Sequence, residues 1–336
     1  MKVSELGEFG LIDLLAKMIN CSPGSQPSRQ QLVIGIGDDA AAWRSGAAIQ
    51  LATVDALIQD VHFSLDTASW YDLGWKAMAV NLSDIAAMGG VPTYALVSLA
   101  LPGDTSVEDV TTMYRGMIEL GEQFGVTIVG GNTSSAPVIM ISVTVLGTTG
   151  NQDKHILTRS GARPGEKVAV TGYLGSAAAG LEILTRNLPI DPESAVRLKK
   201  AFLQPYPRVA EGQLLVEHGI KAAIDISDGL ISDLNHICEM SRVGARIEVD
   251  RLPVEPVVRA NFGTRAMELA LSGGEDYELL FTGSVPTIEK VRKAVSCPVT
   301  VIGEIVADEM GKVALLDSGG NPFHIEKAGW EHFTSQ

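Results

Sequence analysis

Strand-like apolar runs alternate with helical patterns along almost the whole chain, and several of the strands run directly into acidic residues. In the first half, "LVIGIG" is followed by Asp38 and Asp39, and "AIQLATVD" ends at Asp55. In the second half, "AAIDISDG" passes through Asp225 and Asp228. This alternation predicts a mixed α/β (α+β) fold with acidic strand ends in both halves, although no repeat is visible residue by residue.

The length of the chain favours two domains over one. Its 336 residues exceed what a single hydrophobic core of ordinary size organises, and the first run of strands and helices ends near Gly150. Hydrophobic residues make up 46% and charged residues 20%, which is typical of a globular protein. We therefore expect one domain over residues 1–150 and another over 151–336, with a cleft between them.

The net charge of −14 argues against a protein that binds nucleic acid or an anionic membrane through its overall field. An anionic ligand would instead need hydrogen-bond donors or positive charge at its own binding site. If that ligand is a nucleotide, helix N-termini and metal ions bound by the surplus carboxylates are the available sources.

The cysteines and the N-terminus both indicate a cytoplasmic protein. The three cysteines are far apart and form no C-x-x-C pair, so neither a disulfide framework nor a structural zinc site is expected. They are Cys21, Cys238 and Cys297. Charged residues interrupt the first 18 positions, which excludes a signal peptide, and no stretch reaches the roughly 20 apolar residues of a membrane span.

Local patterns predict the following elements. Helices are predicted at 5–20, 70–88, 107–124, 196–202 and 208–217, with two more after Gly175 and Asp228. Strands are predicted at 31–37, 48–55, 93–101, 126–131, 137–147, 245–249, 277–283, 299–306 and 312–317, and within "EKVAVTG" and "KAAID". Residues 21–30, rich in proline and serine, are predicted to form a surface loop.

The acidic residues at these strand ends suggest a metal site. Asp38 and Asp39 alone are explained as well by a solvated turn, since aspartate and glycine are common turn residues. With Asp55, Asp84, Asp225 and Asp228 added, the set resembles the oxygen ligands that magnesium needs. Two simpler roles stay open: Asp84 would face solvent from its helix, and Ser227 or Asp228 would cap the helix that follows.

Two glycine-rich segments give weaker signals. "VAVTGYLGSAAAG" joins a strand to a helix, but Gly172, Gly175 and Gly180 lack the G-x-G-x-x-G spacing, and the chain has no P-loop. A backbone that approaches phosphate groups remains possible there. "LSGGEDYELLF" is most simply a tight turn before a strand. His62 is a lone histidine, and no hydrolase triad is present.

Seven motifs in the same order over nearly the whole chain resemble the thiamine-monophosphate kinase family. They are "GIGDDAA", "VDALIQDVHF", "KAMAVNLSDIAAMGGVP", "IVGGNTS", "TRSGARPGEKVAVTG", "IDISDGLISDL" and "LSGGEDYELLF". The family shares a superfamily with aminoimidazole ribonucleotide synthetase and selenophosphate synthetase. The resemblance implies direct transfer of the terminal phosphoryl group of ATP to thiamine monophosphate, with several magnesium ions bridging the two and no phosphoenzyme.

The resemblance also implies roles for particular residues. Magnesium ligands correspond to Asp39, Thr53, Val54 (through its carbonyl), Asp55, Asp84, Asn132, Asp225 and Asp228, with Asp38 beside them. ATP contacts correspond to Tyr114, Gly131, Asn132, Arg159 and Ser227, and substrate contacts to His62, Glu275 and Trp330. The family commonly has aspartate at the position of Asn132, and an amide there would bind metal without adding charge. No residue is implied to act by covalent catalysis.

The fold that the resemblance implies has an N-terminal α/β domain that forms a β-barrel across a homodimer, and a C-terminal α/β domain. Two groups of alternatives fit less well. A selenophosphate synthetase needs a reactive cysteine in a glycine-rich N-terminal segment, and the hydrogenase-maturation relative has a C-terminal cysteine; this chain has Cys21 in a proline-serine segment and ends "WEHFTSQ". A dinucleotide-binding protein built on "TGYLGSAAAG" lacks its fingerprint spacing.

Overall fold

The structure is a computed structural model, and its description covers most of the chain beyond the first 30 residues. The described residues are 31–46, 48–149, 155–186 and 188–325, with Gly10, Ile12, Leu14 and Gly329. The predicted helix over 5–20, apart from three of its residues, and the predicted loop over 21–30 lie outside this part. Trp330 lies outside it as well.

Six strands form the first sheet, in the order β1-β2-β3-β6-β4-β5. Their bounds are Leu32–Ile34 (β1), Ala41–Ser45 (β2), Ala48–Ile58 (β3), Val91–Leu101 (β4), Thr127–Ser135 (β5) and Met140–Thr148 (β6). Neighbours are antiparallel except β4 and β5, which are parallel because a helix connects them.

Two helices, α1 (Trp70–Ala87) and α2 (Val107–Gln123), cover one face of this sheet. Ser69 caps the start of α1 with a capping box, and Met88 is the C-cap, followed by the left-handed Gly89. The predicted helix over 70–88 is confirmed. Inward strand residues such as Leu51 and Val97 share one core with Met78 of α1, because alternate strand residues point to the same face.

A second six-stranded sheet has the order β12-β9-β11-β7-β10-β8. Its strands are Lys167–Thr171 (β7), Ala223–Asp225 (β8), Gly244–Glu248 (β9), Leu279–Gly283 (β10), Val299–Val306 (β11) and Val313–Leu316 (β12). The helices of this half are Ser176–Arg186 (α3), Pro192–Leu203 (α4), Val209–Glu217 (α5), Leu230–Ser241 (α6), Pro256–Phe262 (α7), Arg265–Ser272 (α8) and Val285–Ala294 (α9). Pairing is antiparallel except between β9 and β12.

The two faces of the second sheet belong to different cores. Ala169 and Phe281 join the core that runs on into the first half, whereas Val170 and Leu280 pack on the opposite side with α3, α6 and α8. Helix α1 lies against α5 so closely that a Cβ at Gly212 would come 2.1 Å from the carbonyl oxygen of Ala86. The mixed two-domain fold is thus joined by a continuous core, and α1 lies at the junction.

The structure corrects four predictions of local structure. β2 was not predicted; it lies between the two strands that the sequence joined by a loop. β3 runs on to Ile58, so Asp55 lies inside a strand and not at its end, because residues 56–58 continue the pairing with β6. Helix α4 begins at Pro192, capped by Asp191, four residues before the predicted start. Helices α7, α8 and α9 were not predicted.

Candidate active site

Three aspartates from distant parts of the chain converge at the junction of the two halves. Asp39 lies in the turn between β1 and β2, Asp84 lies on α1, and Asp225 ends β8. One carboxylate oxygen of each lies within 4.8 Å of the others. Both halves of the chain therefore contribute to one acidic cluster, which we define as these three residues.

The electrostatics of the acidic cluster favour a bound cation. Burial and then repulsion from Asp39 raise the pKa of Asp225 to about 7, and burial with repulsion from Asp55 and Asp225 raises the pKa of Asp84 well above its usual value. Oδ2 of Asp39 is buried and has no hydrogen-bond partner. A hard divalent cation would relieve the repulsion and use this oxygen, so the donor set fits magnesium.

Two hydroxyl groups hold the outer oxygens of the acidic cluster. Oγ1 of Thr53 donates to Oδ2 of Asp84 at 2.5 Å, and Oγ of Ser83 donates to Oδ2 of Asp225 at 2.5 Å. Short bonds to a carboxylate fix its orientation. The side chain of Val54 lies exposed on the opposite face of β3.

Asp55 lies on the same face of β3 as Thr53, next to the acidic cluster. Its backbone N–H donates to Oδ1 of Asn81 at 3.1 Å, and the amide group of Asn81 donates to the carbonyl of Ala77 at 3.0 Å. Desolvation and repulsion from Asp39 raise the pKa of Asp55. Asn81 is thus a buried residue of α1 that supports β3.

Arg159 is the cation that the structure places beside Asp39. Its Nη2 and Nε donate to Oδ1 of Asp39 at 2.6 and 3.2 Å. Its backbone N–H lies 3.2 Å from both oxygens of Asp38. Burial and the charge of Asp39 raise the pKa of Asp38 to about 7. The two adjacent aspartates therefore share one arginine, which balances part of their charge.

The segment after β8 is held from inside the following helix. Oδ2 of Asp233 accepts backbone N–H groups from Ser227, Asp228 and Gly229, at 3.1, 3.3 and 3.1 Å. Gly229 is the N-cap of α6 and makes no side-chain cap bond. The expectation that Ser227 or Asp228 caps this helix is therefore wrong, because the N-cap is Gly229, and Asp233, one turn into α6, instead binds the backbone of the segment that leads into the helix.

The two glycine-rich segments meet each other. Asp276 follows the glycines of "LSGGEDYELLF", and its carboxylate accepts from the backbone N–H groups of Gly175 at 2.8 Å and Ala177 at 3.2 Å. A carboxylate thus already binds the N-terminus of α3, the place where the sequence suggested that the backbone could approach phosphate groups. Burial raises the pKa of Asp276 to about 7.

The remaining predicted residues are placed as follows. Nδ1 of His62 accepts the N–H of Ile58 at 3.0 Å, so the proton of the neutral ring lies on Nε2. Tyr114 is half-buried on α2, and burial raises its pKa. Gly131 and Asn132 lie on β5, and a Cβ at Gly131 would come 1.8 Å from the carbonyl oxygen of Val97.

Within one chain the sheet separates Asn132 from the acidic cluster. Asn132 pairs with Ser98, which pairs with Ser142, which in turn faces Ala56 next to Asp55. These are three strand spacings, or roughly 14 Å at the usual separation of strands. The structure therefore brings Asp39, Thr53, Asp55, Asp84, Asp225 and Arg159 together, and it does not bring Gly131 and Asn132 to them.

Sequence patterns missed five polar residues around this site. They are Lys76, Asn81, Ser83, Asp233 and Asp276. Asn81 and Ser83 both precede Asp84 within the motif "NLSD", so polar residues in an otherwise apolar helix were the available signal. Lys76 and Asp276 gave no local signal, because their partners are remote in sequence.

Two family models match the chain. The model of the AIR synthase related protein, N-terminal domain, matches residues 37–149, and the model of the AIR synthase related protein, C-terminal domain, matches residues 163–315. The first matched range includes the first sheet from the turn of Asp39 onward, and the second includes most of the second half. The fold and the acidic cluster thus define an AIR synthase related protein.

Curated relatives narrow this class further. Thiamine-monophosphate kinases of Escherichia coli (strain K12) and Aquifex aeolicus are 38% and 36% identical, over 98–99% of this chain and 99–100% of their own lengths. The relative from Bacillus subtilis is 38% identical over 89% of this chain and 93% of its own. The chain belongs to the thiamine-monophosphate kinase family.

Solved structures agree with this family. The structure of AaThiL complexed with AMPPCP and TMP superposes with a TM-score of 0.84 at 34% identity and covers 99% of both chains. The hydrogenase maturation protein HypE in complex with ATP has a TM-score of 0.66, covers 83% of this chain and 86% of its own, and is 18% identical, which shows a shared fold alone.

Proposed function

We propose that the chain transfers the terminal phosphoryl group of ATP to the phosphate of thiamine monophosphate, giving thiamine diphosphate and ADP. The observation that supports it is the acidic cluster, in which Asp39 and Asp84 of the first half meet Asp225 of the second. A related chain, 34% identical, binds the ATP analogue AMPPCP together with TMP in the same fold. This step is the last one in the formation of thiamine diphosphate.

Magnesium ions are the cofactor of this proposal. When bound, they neutralise the phosphate oxygens of donor and acceptor and so let two anions approach each other. Asp39, Asp84 and Asp225 are the ligands best supported by the geometry, with Asp55 and Thr53 next to them. The proposal also includes the carbonyl of Val54, Asp228 and Asn132, whose roles the family resemblance implies. Asn132 would act at the acidic cluster of the second copy in the homodimer proposed below, because within one chain the sheet separates it from the cluster.

The chain's own residues orient the two substrates. For ATP the proposal names Tyr114, Gly131, Asn132, Arg159 and Ser227, and for thiamine monophosphate His62, Glu275 and Trp330. Arg159 already faces the acidic cluster, where a guanidinium can pair with phosphate oxygens. Direct in-line transfer needs no nucleophilic side chain, so positioning and charge balance provide the rate.

We further propose a homodimer in which the first sheets of two copies form a closed β-barrel. The face of this sheet opposite α1 and α2 presents exposed apolar side chains, among them Val54, Tyr94, Leu96, Val129 and Met140. Apolar surface of this extent on one sheet face is typical of a contact between proteins. A second copy would cover it and would also protect the sheet edges.

The expected setting is the cytoplasm, with no nucleic acid or membrane as a partner. None of the helices in the described part of the chain is long and apolar enough to cross a membrane. The net charge of −14 disfavours binding to nucleic acid through the overall field. The division into domains over 1–150 and 151–336 stays a prediction.

The proposal is tested by incubating the purified protein with ATP, magnesium chloride and thiamine monophosphate and separating the thiamine compounds by chromatography. We expect thiamine diphosphate and ADP in equal amounts, and neither product after removal of divalent ions with EDTA. Unphosphorylated thiamine in place of thiamine monophosphate is the control for the acceptor, and it should give no product. ADP formation without thiamine diphosphate would overturn the proposal.

A further inference from the structure

Lys76 is a buried lysine of α1 whose ammonium faces the second half of the chain. Only 4% of its side chain is exposed, and Nζ forms an ion pair with the carboxylate of Glu275. Nζ also lies 3.6 Å from the centre of the Phe202 ring on α4. A buried ammonium is costly unless it is paired, and here a carboxylate and an aromatic face enclose it. The ion pair therefore has a defined geometry.

Glu275 belongs to a strained segment, which we call the Glu275 loop (residues 273–277). The backbone of Glu275 is left-handed, with φ of 68°, a conformation that residues other than glycine rarely adopt. Its N–H donates to the carbonyl of Ser227 at 2.7 Å, and a Cβ at Gly274 would come 2.3 Å from the same oxygen. The Glu275 loop is thus stacked on the segment that follows β8.

The Glu275 loop lies next to the acidic cluster. The backbone N–H of Tyr277, at the end of the loop, donates to the carbonyl of Ile226 at 2.9 Å, and Ile226 directly follows Asp225 of the acidic cluster. The phenol of Tyr277 is buried, and burial and then the charge of Glu275 raise its pKa. Lys76 lies two turns before Asp84 on α1, so one helix contacts both places.

We propose that Lys76 is a positioning residue for the acceptor substrate. It holds Oε2 of Glu275 and thereby leaves the other oxygen in a fixed place for thiamine monophosphate. Because Lys76 balances the charge of Glu275, the contact selects a hydrogen-bonding geometry and not simply a positive charge. The inference rests on the proposed kinase function and on the substrate role of Glu275.

The test compares Lys76→Met, Glu275→Gln and the double variant with the unchanged protein. KM is measured for thiamine monophosphate at saturating ATP and for ATP at saturating thiamine monophosphate, and thermal unfolding is recorded for each variant. We expect Lys76→Met to raise KM for thiamine monophosphate about tenfold, the size typical of a lost charge-assisted hydrogen bond, with KM for ATP and kcat within about twofold.

The double variant separates positioning from mere stability. Removal of both charges should restore the thermal midpoint that Lys76→Met lowers, because no lone charge remains, while KM for thiamine monophosphate stays raised. Recovery of both quantities in the double variant would overturn the inference. An unchanged KM for thiamine monophosphate in Lys76→Met or in Glu275→Gln would do so too.

Trp75→Phe is the matched control on the same helix. The indole N–H of Trp75 donates to the carbonyl of Pro205 at 2.9 Å, also across the junction, and this partner is not part of the Glu275 loop. We expect this variant to lower the thermal midpoint without raising KM for thiamine monophosphate, and an equal rise there would refute a specific role of Lys76. An unchanged protein that forms no thiamine diphosphate would overturn the kinase function itself, and this inference with it.

Discussion

Single side chains decide how the acidic cluster is arranged. Ser83 is fully buried, and its hydroxyl group reaches across the junction to Asp225. The hydroxyl group of Thr53 holds Asp84 in the same way, although both residues belong to the first half. Each aspartate is therefore held by one oxygen, so that its other oxygen can face a cation.

Replacement of Ser83 by alanine should weaken magnesium binding roughly 10- to 100-fold, as is usual when a residue that orients a metal ligand is lost. A metal ion that binds only the folded protein stabilises it, so under the proposal the unfolding temperature rises with magnesium concentration, and this rise measures the effect. Ser296→Ala is the matched control, because the hydroxyl group of Ser296 has only a 3.4 Å contact with Glu211. Equal magnesium titrations for Ser83→Ala and the unchanged protein would contradict this role.

His236 on α6 gives a pH dependence with a definite sign. Burial and the charge of Arg159 lower its pKa to about 4, below the 6.5 of a free histidine. Between these values the unfolded chain binds a proton that the folded protein does not, so this contribution to stability is lost as the pH falls from 6.5 to 4.

His236→Gln should remove this contribution. Urea unfolding at several pH values measures the difference in free energy of unfolding between the unchanged protein and the variant. We expect the free energy of unfolding of the unchanged protein to increase relative to that of the variant as the pH rises from 4 to 6.5. Above pH 6.5 the difference should stay constant. A difference that does not vary over this range would show that the histidine titrates normally. The buried aspartates, whose pKa values are raised, act with the opposite sign in both proteins and cancel.

Helices α1 and α2 approach each other unusually closely, and two glycines allow it. A Cβ at Gly74 would lie 1.8 Å from the carbonyl oxygen of Met113, and one at Gly116 would lie 2.2 Å from that of Tyr71. The position of α1 sets the positions of Asp84, Ser83 and Lys76, so this close packing bears on the site.

Gly116→Ala should therefore destabilise the protein by about 1–3 kcal/mol, the usual cost of overpacking, although alanine favours a helix more than glycine does. Chemical denaturation measures the change. Gly103→Ala is the control, since a Cβ there would meet nothing within 4 Å, and it should change stability little. A stabilised Gly116→Ala variant would mean that the helices can move apart freely.

Much of the element order could be predicted, because capping residues and apolar periodicity are local signals. The helical spacing of apolar residues and the glycines after Met88 predicted α1, and the predicted strand 299–306 matches β11 fully. The strand β2 was not predicted because it has only five residues and two of them, Arg44 and Ser45, are polar. The length of β3 depends on its pairing with β6, which no local pattern around Asp55 contains.

The acidic residues of the site could be predicted from the sequence. The roles of residues that act through tertiary contacts could not. The grouping of Asp39, Asp84 and Asp225 followed from their residue type and position. Asp233 binds the backbone just before α6, and Asp276 binds the backbone at the N-terminus of α3. Both contacts depend on how the chain folds back on itself. A glycine loop in sequence thus cannot reveal whether its N–H groups are already used.

For the molecule as a whole, the exposed apolar face of the first sheet is the feature that calls for a partner. Leu96→Glu places a charge in the middle of this face and should convert the proposed dimer to a monomer. Light scattering coupled to gel filtration measures the mass. Val107→Glu is the control, since Val107 is 79% exposed at the start of α2, away from that face, and this variant should stay dimeric. A monomeric unchanged protein would contradict the proposed dimer.

The proposed metal site lies at the junction of the two halves, since neither half contains the whole acidic cluster. The most direct measurement is the rate of thiamine diphosphate formation against magnesium concentration for the unchanged protein and for Asp225→Asn, with Asp308→Asn, a change at an exposed ion pair, as control. We expect Asp225→Asn to lose more than about 100-fold in rate at any magnesium concentration while it stays folded. A magnesium dependence and rate equal to those of the unchanged protein would contradict a catalytic metal site shared by both halves.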